Sequence, residues 1–446
     1  MNQIAPTTPY EWENDLDSLD TERRHAALTQ LRLAAEAEMN LEQADERPGN
    51  LHAHTFFSYN SLGYSPSRYA LLAKQYGMEV AGIVDFDVLD GMEEFHETGS
   101  RLNLRTVVSI ETRVFVPEFS DRVINSPGEP GVAYHMAAGW TRTPNDISNN
   151  SFLHSLNDRA ARRNRTMVTR LNQFFDAMAI SYDSDVLPLT PHHNATERHI
   201  VMAYARKAAR IFTPEELLAF WTGKLGPGLT ADDLPETPKL LNLIRSKTMK
   251  IGGAGYTPPT PKSFPLLADF NAFAVASGAI PMVAWLDGTS AGEQAMEEWA
   301  DVAARSGACA INIIPDRNFT PGVNDDKLRH LNDVVALANR RHWPVIVGTE
   351  MNSFGQRFVD QFETEELRPL VPTFQRGARI LYGHTALQRA AGLGYLGEWA
   401  QQHLPDLAAR NDFFEQLGRA LTPRRESLLS EITRLDTPAH ILARLT

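Results

Sequence analysis

The chain has 446 residues, of which 43% are hydrophobic and 22% charged, a composition typical of a globular domain with a large core. Its formal net charge of -12 argues against non-specific binding to nucleic-acid polymers and to anionic membranes, although it does not exclude a small anionic substrate. The single cysteine, Cys309, excludes an intrachain disulfide and a thiolate-rich metal site. No apolar run approaches the roughly 18 residues of a membrane span, and the N-terminus lacks a signal-peptide pattern, so we expect a cytoplasmic protein.

Strand and helix patterns alternate along most of the chain after an N-terminal helical segment predicted over residues 1–47. The candidate strands are Leu51–Phe57, Val80–Val88, Arg105–Val116, Val132–Trp140, Ile280–Leu286, Ala308–Ile314 and Pro344–Gly348. The first helix between them is bounded by Ser65, a typical N-cap residue, and by Gly77, a typical C-terminal residue. Such alternation predicts parallel strands with right-handed crossovers, hence an α/β fold with a distorted, closed or nearly closed β/α barrel of seven strands.

Two helical blocks interrupt or follow this barrel. Residues 145–265 are mainly helical in pattern and end in a stretch rich in glycine and proline, which indicates a helical insertion between 48–144 and 266–360. Residues 361–446 have helical patterns again and predict a C-terminal helical extension.

His52 and His54 lie two apart on the first candidate strand. Residues i and i+2 of a strand point to the same face, so both imidazoles could reach one ion of Zn, Mn or Fe. The alternative is a chance pair with ordinary hydrogen bonds. The neighbouring strands bear on this choice, because the active sites of β/α barrels lie at the C-terminal ends of their strands.

Ionisable or polar residues follow or interrupt nearly every later strand, and buried charges cost several kcal/mol each unless they are paired or bound to metal. These residues are Asp85 and Asp87, Glu111 and Arg113, His135, Asp287, and Glu350 and Asn352. Structural roles are also open to them: Glu111 could pair with Arg113, Glu350 could pair with Arg357, His135 could be a hydrogen-bonded core residue, and Asp85 could form a turn.

In order and spacing these residues resemble the polymerase-and-histidinol-phosphatase (PHP) metallohydrolases over about residues 48–140 and 266–352. The matching positions are His52-Ala53-His54 for the opening His-x-His, Ser58 for the polar residue that follows it, Val84-Asp85-Phe86 for Thr-Asp-His, Ser109-Ile110-Glu111 for the third strand, His135 for the next histidine, and Gly348-Thr349-Glu350-Met351-Asn352 for the closing Gly-Ser-Asp-x-His. The family's Ala-His-Pro histidine is replaced by Trp285.

The resemblance implies a distorted (β/α)7 PHP-type barrel that holds one or two divalent metal ions (Mn, Zn or Fe). The implied ligands are His52, His54, Glu111, His135 and Glu350. The departures at Trp285, Phe86 and Asn352 put the second ion in doubt and imply loss of a third. Asp85 would orient one of the two leading histidines.

Arg198 and His199 begin a predicted helix of the insertion and are similar to the Arg-Pro-His motif of nucleotide-cleaving members, without its proline. A helix N-terminus and an arginine fork both favour anions, so these residues could clamp a substrate, although a plain structural role is the alternative. We assign Asp85, Arg113, Arg198 and His199 as catalytic candidates. Arg198, His199 and Asn352 are candidates for substrate binding.

The prediction is a metal-dependent hydrolase that uses a metal-activated water, most simply a phosphoesterase acting on a small phosphorylated metabolite or nucleotide. The substrate class comes from the resemblance. Two alternatives stay open: a hydrolase of lactone or amide bonds, and a catalytically silent barrel that binds a small ligand. The expected partner is a small anionic molecule, neither nucleic-acid polymer nor membrane, and the sequence does not indicate an oligomeric state.

Overall fold

The computed structural model describes residues 11–37, 47–260, 262–319 and 325–445. Part of the predicted N-terminal segment, residues 1–10 and 38–46, lies outside this range, whereas a helix forms at Thr21–Ala37 as predicted. Among the described residues, no helix combines the length and the apolarity that a membrane crossing requires.

A curled sheet of six strands, arranged in chain order, lies at the centre of the molecule. The strands are β1 Val80–Phe86, β2 Arg105–Phe115, β3 Val132–Ala138, β4 Ile280–Trp285, β5 Ala310–Ile313 and β6 Val345–Val347. Nearly all of their side chains are buried, because helices and loops cover both faces of the sheet. The α/β class and six of the seven candidate strands are therefore confirmed, with ends that differ by a few residues.

The remaining candidate strand, Leu51–Phe57, is an irregular segment that is hydrogen-bonded to both outer strands. Gly82 N of β1 donates to Asn50 O (2.9 Å), and Leu51 N donates to Val347 O of β6 (2.9 Å). A Cβ atom at position 82 would lie 2.7 Å from the Cα atom of Leu51, so a glycine is needed for this close approach. The segment that carries His52 and His54 thus lies between the two edges of the sheet, and the described strands do not form a regular seven-stranded barrel.

Strand β3 runs antiparallel to both β2 and β4, whereas the sequence predicted parallel strands throughout. The connection between β2 and β3 contains only a short 3-10 turn at Pro117–Phe119. Parallel strands are usually joined by a crossover helix, and without one the chain folds back antiparallel.

The α-helices, in chain order, are α1 Thr21–Ala37, α2 Pro66–Tyr76, α3 Met92–Leu102, α4 Ile147–Phe175, α5 Glu197–Ile211, α6 Pro214–Leu225, α7 Pro238–Thr248, α8 Leu267–Ala276, α9 Ala291–Gln294, α10 Met296–Arg305, α11 Pro315–Asn318, α12 Asp325–Arg340, α13 Val371–Ala391, α14 Glu398–His403, α15 Leu407–Ala420 and α16 Pro438–Ala443. Helix α2 has the predicted caps: Ser65 Oγ accepts from Arg68 N (3.1 Å), and Gly77 adopts a left-handed φ of 83°.

Helices α4–α7 lie within the range that the sequence assigns to an insertion. They pack mostly around a hydrophobic core of their own, which includes Leu171, Tyr204 and Trp221, whereas Leu153 and Leu156 of α4 belong to the main core. Helix α13, from the predicted C-terminal extension, packs directly on the sheet. A Cβ atom at Gly377 of α13 would lie 2.0 Å from Val345 O of β6, so the two elements touch through backbone. The extension therefore completes the main core instead of forming a separate layer.

Candidate metal centre and cavity

Three of the five predicted ligands meet beside the sheet. Nε2 of His52 lies 3.5 Å from Oε2 of Glu111, and Nε2 of His54 lies 3.2 Å from the same oxygen. All three side chains are buried, and their candidate ligand atoms lie within 4.8 Å of one another. Within the part of the chain that the structure describes, this is the one group of three or more ligand-type residues at such distances.

Hydrogen bonds on the far side of each imidazole fix which nitrogen carries the proton. Asn312 of β5 places its Oδ1 2.8 Å from His52 Nδ1, and an amide oxygen can only accept. Ser58 Oγ lies 3.0 Å from His54 Nδ1 and donates its own proton to Asp85 Oδ1 (2.6 Å), so it accepts from His54. Both histidines therefore carry a proton on Nδ1 and turn Nε2 towards Glu111.

The three facing atoms are buried and have no hydrogen-bond partner. In the neutral form of each ring, Nε2 presents a lone pair, and Glu111 Oε2 presents another. Lone pairs at these separations repel unless a cation, either a proton or a metal ion, lies between them. The arrangement therefore favours binding of a cation.

The pKa values of the group show the same preference. Burial alone would raise the pKa of Glu111, but the adjacent imidazoles of His52 and His54 hold it at about 2. Burial would lower the pKa of His52, but the carboxylates of Glu111 and Glu350 and the hydrogen bond to Asn312 raise it above its usual 6.5. Two neutral nitrogen donors and one carboxylate suit Zn, Mn or Fe, and a three-ligand set is typical of catalytic rather than structural zinc.

Asp85 lies behind His54, as the sequence suggested, but it acts through Ser58. It accepts from Thr55 N (2.9 Å) and Thr55 Oγ1 (2.6 Å) as well as from Ser58. This network holds the segment that carries both histidines against the end of β1. The signal for Ser58 was present in the sequence, as the polar residue four positions after His54.

Glu350 lies beside the group, and its backbone pairs with that of the histidine segment: His54 N donates to Glu350 O (2.8 Å), and Glu350 N to His52 O (2.6 Å). Its Oε2 accepts from Arg317 (2.9 Å) and Gln356 (3.0 Å), so at least one carboxylate oxygen is committed to these partners. The alternative partner Arg357 bonds Asp316 instead. Ligation by Glu350 stays a prediction.

His135 does not join the centre, which corrects the prediction that it is a ligand. Its Nε2 lies 2.7 Å from Asn271 Oδ1 of α8, and its ring packs against Phe270 and Trp299. Its strand neighbour Tyr134 lines the cavity described next, and successive residues of a strand point to opposite faces. His135 therefore faces the helical layer as a neutral core histidine, and burial lowers its pKa to about 4.

A cavity of about 400 Å³ opens beside Glu111 and extends under the insertion. Seven basic side chains line it: Arg113, Arg159, Arg163, Arg198, Arg245, Lys250 and Arg317. Four acidic side chains line it: Asp87, Glu111, Glu197 and Glu350. The lining is therefore cationic inside a protein of net charge -12, which favours a small anionic ligand.

The structure brings some of the predicted substrate-binding and catalytic residues to the cavity but not all of them. Arg113, Arg198 and Asn352 line the cavity. Arg198 donates to Asn242 Oδ1 of α7 (2.5 Å) and to Ser353 Oγ in the loop that follows β6 (2.5 Å). His199 does not line it, which corrects its assignment as a catalytic and substrate residue. Its Nδ1 accepts from Thr196 N (3.0 Å) and closes the N-terminus of α5, and burial lowers its pKa to about 3.

Sequence reasoning missed three residues that shape the site. Asn312 interrupts the apolar strand β5, a signal that could have been read. Arg317 and Arg163 follow no motif, and only the fold brings them to the cavity. Trp285 is buried and is not part of the cavity lining, whereas Phe86 lines the cavity and lies 4.3 Å from the His54 ring, between ring centroids.

No family model and no curated protein matches this chain. Among solved structures, it is similar to an amidohydrolase from Chromobacterium violaceum with bound sulfate and no metal, at 14% identity and a TM-score of 0.49, over 73% of this chain and 97% of that one. It is also similar to a protein from Bifidobacterium adolescentis for which metal-dependent phosphoesterase activity has been suggested, at 17% identity and a TM-score of 0.48, over 75% and 98% of the two chains. These similarities are too distant to assign a family or an activity.

Proposed function

We propose that the protein is a metal-dependent hydrolase of a small anionic substrate, and that the bond it cleaves is a phosphoester. The observation that carries the proposal is the convergence of three buried, unpartnered donor atoms, from His52, His54 and Glu111, at a cavity with a cationic lining. A structural ion would be enclosed by protein ligands, whereas this group adjoins, through Glu111, an open space large enough for a small molecule.

When bound, a divalent ion supplies Lewis acidity, which activates water and polarises the scissile bond. The chain's own residues prepare the site for it. Asn312 and Ser58 keep a proton on each Nδ1, so both Nε2 atoms stay available. Both histidine rings are buried and therefore held in place, so little reorganisation is needed when a metal ion binds.

Arginine side chains would neutralise negative charge on the substrate. Arg317 is held by Glu350 beside the centre, and its charge also acts on Glu111. Arg113 lies two residues after Glu111 on β2 and lines the same cavity. Guanidinium groups at these positions can bind substrate oxygens and stabilise negative charge that develops during cleavage. The choice of a phosphoester rests on this cationic lining and on the sequence resemblance.

The test is metal analysis followed by a substrate screen. The protein is loaded in turn with Mn, Zn and Fe, dialysed, and its metal content is measured; we expect at least one ion per chain. Loaded protein is then assayed with phosphomonoesters, phosphodiesters, lactones and amides, and we expect hydrolysis of phosphoesters. The Glu111→Gln variant should lose both metal and activity.

The matched control is His25→Ala, since His25 is an exposed histidine of α1 that does not line the cavity. It should keep both metal and activity. Metal-free protein that still binds small anions would instead support a silent ligand-binding barrel, and turnover confined to lactones or amides would replace the phosphoester assignment.

A further inference from the structure

A smaller chamber of about 40 Å³ lies beside the cavity, under the insertion. The two spaces are adjacent, because both are lined by Arg113, Arg163, Lys250, Glu197 and Tyr134. We propose that Arg163 and Arg113 form a second oxyanion subsite here, and that the substrate therefore carries two anionic groups. The inference rests on the proposed function and specifies its substrate class.

The backbone of β2 sets the spacing between the two anionic groups. Glu111 and Arg113 are two residues apart on this strand, so their Cα atoms lie about 7 Å apart along one face. The Arg113 guanidinium extends further and stacks on the Phe264 ring, 4.5 Å from its centroid. Arg163 of α4 stacks on the same ring at 5.2 Å. Two guanidinium groups thus share one aromatic platform beyond the metal centre.

The ion pairs at the end of the cavity beyond the metal centre do not include Arg163. Glu129 accepts from Arg113 (2.9 Å), and Glu197 accepts from both Arg245 and Lys250 (2.7 Å each). The side chain of Arg163 makes no hydrogen bond and no ion pair with any residue that the structure describes, and carboxylates such as Asp87 act on it only at longer range. A guanidinium group without an ion-pair partner inside a cavity is a position that an anion can fill.

The electrostatics of Arg163 support this reading. Burial and the neighbouring charge of Arg113 lower its pKa to about 10. Two adjacent cations that are poorly solvated repel each other, and an oxyanion bound between them would remove this cost. A guanidinium fork binds two oxygens at once, so the chemistry that fits is a phosphate or a carboxylate.

The first experiment measures binding of inorganic phosphate to the metal-loaded protein by calorimetry. Arg163→Gln should weaken the phosphate site at this end about 10- to 100-fold, as expected for loss of a charge-assisted hydrogen bond, and Arg163→Lys should weaken it less. The control is Arg162→Ala, an exposed arginine that precedes Arg163 on α4, and it should leave binding unchanged. Thermal unfolding of each variant shows whether it is folded. Unchanged phosphate binding in folded Arg163→Gln overturns the proposal.

The second experiment compares three substrates by phosphate release: butyl phosphate, 4-phosphonooxybutanoate and 1,4-butanediol bisphosphate. In the parent protein the two substrates with a second anion should show a lower KM than butyl phosphate, and Arg163→Gln should raise their KM to that of butyl phosphate. The more favoured of the two identifies the second group as a carboxylate or a phosphate.

Equal KM values for all three substrates in the parent protein would overturn the inference and leave the proposed function standing. Absence of bound metal and of any turnover would overturn the proposed function, and the calorimetric test of the subsite would then be made on the metal-free protein, where Arg163→Gln should still weaken phosphate binding.

Discussion

The two ends of the cavity differ in the charged groups that line them. At the metal end, the donor groups belong to the sheet and to the segment between its edges, and hydrogen bonds orient neutral imidazoles towards one carboxylate. At the far end, most of the charged groups are guanidinium or ammonium groups, and one of them, Arg163, has no hydrogen-bond or ion-pair partner for its side chain among the described residues. The first end presents donor atoms that suit a cation, and the second presents guanidinium groups that suit an anion.

The two ends of the cavity also belong to different parts of the molecule. The donors at the metal end are held by backbone pairing between elements that also form the main hydrophobic core. Arg163, Lys250 and Arg245 come from the helical insertion or its margin, which packs around its own core. A change in the insertion could alter the substrate without disturbing the centre, because the two sets of residues rest on different packing.

The same substitution at each end should give opposite results, and this is the largest effect we expect. Glu111→Gln removes a donor charge from the buried group, so metal content should fall below one tenth of the parent value and activity should drop on the order of 1000-fold. Glu129→Gln removes the partner of Arg113 at the other end, so metal should be retained and phosphate should bind more tightly. Metal analysis and calorimetry on both variants check this, and retention of metal by Glu111→Gln would contradict the assigned centre.

The orienting role of Asn312 predicts an intermediate effect. Asn312→Leu is close in size but removes the acceptor that keeps the proton on His52 Nδ1, so metal affinity should fall about 10- to 100-fold. A competition titration against a chromogenic chelator measures the change. Asn332→Leu, at an exposed position of α12, is the control and should leave the affinity as it is. Equal affinities for all three proteins would mean that the amide does not orient the ring.

The position of His135 outside the centre can be tested by the pH dependence of the unfolding free energy. Its pKa is lowered from 6.5 to about 4 in the folded protein, so between these values the unfolded chain binds the proton more readily. Its contribution to stability is therefore complete above pH 6.5 and is lost as the pH falls towards 4. His135→Gln should reduce the slope of the unfolding free energy against pH in this window by up to about 1.4 kcal/mol per pH unit. Denaturant unfolding of metal-free protein at several pH values measures the slope, and an unchanged slope would place the titration elsewhere.

The smallest expected effect is on metal binding by His135→Gln. Since His135 faces Asn271 and the helical layer, its replacement should change metal affinity by less than about twofold, even if stability falls by about 1–2 kcal/mol through the lost buried hydrogen bond. The chelator titration used for Asn312→Leu serves here as well. A loss comparable to that of Glu111→Gln would restore His135 as a ligand.

Local patterns of the sequence predicted much of the scaffold. The apolar runs that became β1, β2 and β4–β6, the caps Ser65 and Gly77, and the helical character of the insertion all follow from short-range preferences. The sequence also singled out His52, His54 and Glu111, because polar residues at the ends of neighbouring strands meet at one edge of a sheet.

The direction of β3 and the side to which His135 points could not be read in this way. Both depend on how the chain returns after β2, and the antiparallel register pairs His135 with Thr112 and places Tyr134 on the cavity side. The role of His199 could not be predicted either. The Arg198-His199 pair lies at the start of a helix, where His199 caps the helix and Arg198 reaches the cavity.

By itself the sequence determined which residues could bind a cation, because ligand chemistry belongs to side-chain types and strand periodicity is local. The tertiary structure decided which of them share a centre, since Asn312 and Glu111 reach the histidines only through strand pairing across the sheet. It also left Arg163 unpaired beside Arg113, and that outcome depends on how a helix of the insertion packs over a strand more than forty residues earlier in the chain.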